Sequence, residues 1–205
     1  RPFIVMESTG HYHKILFHAL DRSGYGVSII NPIQTDSIKN IGIRKVKNDK
    51  VDALKIALLY RFQELKVTDI PNEDIECLKS LCRQYHNLND ELTVYKNRLT
   101  GIVDQLMLNF KDVFPDIYSK TAIAVLEEYP TPTAIIKADK DKLISIIQGN
   151  SHKSLKWATA KYDLLLCKAK EFEPLSINNA ANITMLEVYI SMVKSLQENL
   201  DNILK

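Results

Sequence analysis

The sequence offers few of the features that would assign it to a class at a glance. Its three cysteines, Cys77, Cys82 and Cys167, are odd in number and show no Cys-x-x-Cys spacing, which argues against a disulfide framework and for a reduced, cytosolic compartment. No run reaches the roughly 18 apolar residues that a membrane helix needs, and no signal peptide precedes the first strand-like segment, so neither export nor membrane insertion is expected. Lys and Arg (27) nearly balance Asp and Glu (25), a formal net charge of +2. A nucleic-acid surface, if there is one, must therefore be local rather than global. Internal repeats and low-complexity tracts are absent too. What remains is a 205-residue chain that is 45% apolar, enough to bury the core of one large domain or two small ones.

The first dozen residues contain "FIVMESTGHYHK". Residues 3–6 read as a strand that ends on Glu7, at the carboxyl end where α/β folds place ligand-facing groups. A helix follows in "HYHKILFHALDRSG", with Ile15, Leu16, Ala19 and Leu20 on one face and Gly24 and Gly26 closing it. Residues 27–30, "VSII", form the second strand. A helical crossover makes the two strands parallel. Two parallel strands are not stable alone in water, so further strands are expected upstream of Arg1 or from another chain. With a start on Arg-Pro, lacking methionine and already inside a strand, the sequence reads as a fragment.

Beyond Asn31-Pro32 the chain is polar and basic until the helix "KVDALKIALLYRFQEL", for which Asn48 or Asp49 is the expected N-cap. From Leu78 through Leu81, Tyr85, Leu88, Leu92, Tyr95, Leu99 and Ile102 to Leu106, apolar residues alternate spacings of three and four. This pattern predicts a helix of about 50 Å at 1.5 Å per residue whose narrow stripe wants a helical partner. Ile183, Leu186, Ile190, Val193, Gln197, Leu200 and Leu204 repeat the stripe near the carboxyl end. An antiparallel pair within the chain and a dimer satisfy it equally. Prolines punctuate shorter helices between the arms at about 118–128, 131–137, 139–147 and 151–171. The fold class expected is mainly α with a small α/β part: residues 1–68 as a partial α/β domain and 69–205 as a helical region, with arms at 72–110 and 180–205 around a cap at 111–175.

Asp49 and Asp52, three apart at a helix start, project from one face. With Glu7 they could converge on divalent cations, since hard oxygen ligands suit Mg²⁺, which also takes waters and phosphate oxygens. Two such ions about 4 Å apart activate a nucleophile and stabilise the leaving oxygen of a phosphodiester. Simple helix capping and a solvated strand end account for the same acids without a metal. Arg44, Lys45, Lys47, Lys50 and Lys55 place five positive charges within twelve residues beside them, suited to a phosphate backbone and sensitive to salt. His11 and His13 point to different helix faces with no third soft ligand nearby, which disfavours zinc. Trp157, Tyr162 and Leu164 to Leu166 are expected to pack the helical cap, and Lys153, with Ser154 and Lys156, offers a further contact there.

The words "ESTGHYHKILFHAL", "INP" and "KNDKVDALKIA", in that order, and then "KNRLTGIVDQLMLNFKDVFPD", resemble the amino-terminal domain of the DEDD transposases of bacterial insertion sequences, the insertion sequence 110 group. The resemblance implies a truncated fold of the ribonuclease H and RuvC type, Mg²⁺ or Mn²⁺ as cofactor, and DNA strand cleavage and transfer. It also implies a structured guide RNA, a homo-oligomer built on coiled-coil arms and a place with the bacterial nucleoid. By position, Glu7, Asp49 and Asp52 would be the second, third and fourth acids of the tetrad; the first has no counterpart in residues 1–205. The family's serine-bearing domain has none either, and Ser8, Ser151 and Ser154 are not substitutes. The expectation is a piece that binds and pairs but does not cleave alone. The alternative is a purely non-catalytic coiled-coil assembly and nucleic-acid-binding module.

Overall fold

The computed structural model describes residues 1–8, 10–34, 48–62, 64–69, 72–175 and 180–205. It divides into two compact units, Arg1–Glu73 and Asp74–Lys205. The protein is mostly helical, with one two-stranded parallel sheet near its amino end.

In the first unit β1 (Ile4–Glu7) pairs with β2 (Val27–Ile30) in the register Ile4 to Val27 and Glu7 to Ile30. Helix α1 (Tyr12–Arg22) makes the crossover. It stops at Gly24, whose φ of +74° is the left-handed conformation that glycine adopts without cost. Backbone bonds from Ile4 to Gly26 and from Ser8 to Ile30 (2.8 and 2.9 Å) continue the ladder beyond the strand ends. The opposite edge of β2 is not left open. Thr68 donates its N–H to the Val27 carbonyl at 2.9 Å and accepts from the Ile29 N–H through its hydroxyl at 2.8 Å.

Helix α2 (Asp49–Phe62) packs on β1, where the Tyr60 and Phe3 rings stack with centroids 4.9 Å apart. Among the described residues of this unit, Phe17, Val27, Ile30 and Leu59 are the buried apolar ones.

The face expected for α1 is corrected. Ile15 and Leu16 are 76% and 53% exposed and Ala19 is also exposed, while Phe17 is buried, with His13 and Leu20 half-buried. The large ring takes the inward position because it removes the most apolar area from water. A two-stranded sheet is too narrow to cover the neighbouring stripe as well.

The second unit is built on α3 (Glu73–Met107), a single helix of 35 residues. Helix α9 (Ala180–Ile203) runs antiparallel beside it within the same chain. Asn182 donates to Gln105 at 3.1 Å, and the Tyr189 and Tyr95 rings lie 6.2 Å apart. Leu92, Leu99, Val103, Leu106 and Met107 of α3 are buried, as are Leu186, Ile190, Val193, Leu196 and Leu200 of α9. Leu196 takes the place expected for Gln197, which is half-buried. A period of 3.6 residues tolerates that shift where a strict heptad would not, and it keeps an amide out of the apolar seam. Toward its amino end the α3 stripe is uncovered, with Ile75, Leu78 and Leu81 all exposed.

Four short helices follow α4 (Phe110–Val113), near the positions the prolines mark: α5 (Lys120–Glu128), α6 (Pro132–Ile136), α7 (Lys140–Gly149) and α8 (Leu155–Phe172). Each starts on a side chain that accepts from a first-turn N–H: Ser119, Thr131, Asp139 and Ser154. Their apolar faces meet over Phe110, Ile135, Leu143, Ile147 and Leu165, all nearly inaccessible to water.

Leu99→Ala should cost about 2–5 kcal/mol, whereas Leu78→Ala on the same helix should stay within about 0.5 kcal/mol. Urea unfolding followed by the fluorescence of Trp157 measures both.

Candidate functional site

Glu7 closes β1, half-buried, and the ladder bond from Ser8 holds the backbone behind it. Gly10, at φ +58°, turns the chain into α1. Asp49 and Asp52 stand in the first turn of α2. That turn is organised by Asn48, whose Oδ1 accepts from the Lys50 N–H at 3.0 Å and whose carbonyl accepts from Val51 and Asp52 at 2.9 and 3.0 Å. Asn48, not Asp49, is the cap, which leaves the Asp49 carboxylate out of the cap bond. Both acids lie at the positive end of the helix dipole, where negative side chains stabilise the helix. Asp49 is exposed and Asp52 half-buried.

The three carboxylates thus sit on two elements that pack together. Their oxygens are the hard donors a Mg²⁺ or Mn²⁺ site uses, so the donor set fits such an ion. Among the described residues, however, no three His, Cys, Asp or Glu side chains gather into a metal-binding group. The structure brings the supporting elements together without closing a ligand set.

Of the five basic residues expected beside these acids, Lys50 is exposed and Lys55 half-buried; Arg44, Lys45 and Lys47 lie outside the described residues. Tyr12 is 76% exposed, with its ring 4.2 Å from that of His11. His13 is different: its Nδ1 is enclosed and has no hydrogen-bond partner among the described residues. Its spacing of four from Phe17 puts it on the inward face of α1, a signal present in the sequence but masked by the apolar Ile15 and Leu16. Cys77, Cys82 and Cys167 are free and exposed.

The stretch carrying these acids is also the stretch that matches a known family. Residues 1–108, just over half of the 205, match the model of the DEDD transposases of the insertion sequence 110 group, described as transposase. The chain belongs to this transposase family. No curated protein and no solved structure matches it. The match takes in the whole first unit and α3, and it leaves α4 to α9 outside. Membership implies DNA binding, and DEDD transposases are typically metal-dependent. Among the described residues no helix is long and apolar enough to cross a membrane.

Asn48→Ala should cost the first turn of α2 about 1 kcal/mol. Amide exchange at Lys50 to Asp52, where the segment opens locally, should then speed up by about fivefold, with Asn48→Asp close to the natural rate.

Proposed function

We propose that this chain contributes the metal-binding acids and part of the DNA-binding surface of a transposase that cuts and transfers DNA strands. The observation that carries the reading is an acid at the carboxyl end of β1 and a helix start with two acids, on elements packed together, inside the family-matched stretch. In this reading Glu7, Asp49 and Asp52 hold Mg²⁺ or Mn²⁺. Divalent ions bound there would supply activation of the attacking oxygen and stabilisation of the leaving one. The residues' own part is to present ionised oxygens from fixed backbone positions. Arg44, Lys45, Lys47, Lys50 and Lys55 bind the phosphate backbone and position it against the acids. The complete transposase is read as an RNA-guided homo-oligomer acting at the bacterial nucleoid.

A second role has its own observation. The uncovered stripe of Ile75, Leu78 and Leu81 on α3 suits pairing with another copy through coiled-coil contacts. In sedimentation equilibrium Leu78→Asp should halve the mass of a dimer, and an unchanged mass would remove that role.

For the acids the test is Mn²⁺ binding by the full chain, read by electron paramagnetic resonance. Glu7→Gln and Asp52→Asn should each weaken binding by tenfold or more, about 1.4 kcal/mol. Equal affinity in the parent and both variants would overturn the assignment.

A further inference from the structure

Within the helical unit, and outside the family-matched stretch, a groove of about 400 Å³ opens between the segment leading into α5 and the turn leading into α8. Lys120, Lys153, Lys161 and Trp157 line it. Among the described residues Asp116 is the one acid in its wall, and its Oδ1 accepts from the Tyr118 N–H at 3.0 Å. The walls are fixed to each other. The buried Thr121 hydroxyl, on α5, donates to the Asn150 carbonyl across the groove at 3.0 Å. Lys161, on α8, donates to the Val113 carbonyl at 2.5 Å. The same Lys161 ammonium lies 5.7 Å from the Trp157 ring centroid and 5.8 Å from that of Phe114.

The charge placement runs against local preference. A cation in the first turn of a helix opposes the dipole, and an acid is favoured there. In helix α7 the first-turn Lys140 and Lys142 are accompanied by Asp141 and by the Asp139 cap. Helices α5 and α8, which both begin at the groove, carry no acid in the first turn and have Lys120 and Lys156 instead. Lys120 and Lys153 in the groove wall, with Lys156 in the first turn of α8, concentrate positive potential there that an anionic ligand would relieve. The half-buried Trp157 adds an aromatic surface, which a free phosphate would not use but a nucleobase would.

From these observations we infer that the groove is a binding site for single-stranded nucleic acid, with phosphates at Lys120 and Lys153 and an unpaired base against Trp157. Cationic grooves with an aromatic platform bind single strands in this way, since every base has a stacking face and a duplex hides it. The groove is built entirely from the second unit and needs no metal.

Trp157 is the only tryptophan in the chain, so its emission reports on this groove alone. The full chain is titrated in EDTA with a ten-nucleotide oligothymidylate and, separately, oligouridylate. Saturable quenching of Trp157 is expected, and the tighter of the two oligomers identifies DNA or RNA as the source. Lys120→Glu and Lys153→Glu should each weaken quenching by about five- to tenfold. Each should also reduce the log–log slope of affinity against salt by about 0.7, the value of one phosphate left unneutralised on a single strand. Glu7→Gln should give the parent curve, which separates this site from the acidic one. Oligonucleotide binding seen by anisotropy without a change in Trp157 emission would overturn the inference, as would quenching undiminished in both lysine variants.

Discussion

Parallel pairing of β1 with β2 fixes the acidic end of the molecule, because a parallel ladder brings both strand ends to the same side and sets the register that leaves Glu7 level with Ile30. Such a pair is marginal alone. Here β2 is held on both edges, by β1 and by Thr68, and β1 is covered by α2 through the Phe3–Tyr60 stack. Gly26 belongs to the same arrangement: a Cβ there would come within 3.1 Å of the Phe3 ring. A larger residue at that position would push Phe3 against Tyr60 and shift the strand that carries Glu7.

The second unit follows different physics. Its length comes from one helix, but its stability is concentrated where α9 and the short helices bury the α3 stripe from Leu92 to Met107. The same apolar pattern is therefore covered at one end of α3 and exposed at the other, at Ile75, Leu78 and Leu81. Exposure of a regular stripe is unusual for an isolated soluble domain, and it marks that end as a surface distinct from the packed one.

Long, strongly periodic elements and punctuated helices were legible in the sequence, as were the two strands, because periodicity and cap chemistry act locally. What failed were choices between adjacent positions. On α1 the sequence pattern favoured Ile15 and Leu16, but the narrow sheet has room for one large side chain and Phe17 fills it. On α9 the heptad pointed to Gln197, whereas packing against neighbours selects Leu196. The Thr68 edge was invisible because its two hydrogen bonds depend on a fold that returns the chain to β2, with no strand pattern of its own. At the acidic site, residue types and order were readable, but the cap was left between Asn48 and Asp49 until the Lys50 N–H bond to Asn48 decided it. Side-chain convergence was not, since it depends on χ angles and on bound ions rather than on spacing.

The self-capped helices α5 to α8 have a kinetic consequence. Their contacts close over shorter stretches of chain, 29 residues from Thr121 to Asn150 and 48 from Val113 to Lys161, whereas the bond from Asn182 to Gln105 joins residues 77 apart. Closing the longer loop costs more chain entropy, and local contacts generally form faster than distant ones. Contact separation therefore favours the cap forming ahead of the long antiparallel pair, with α9 closing onto it afterwards.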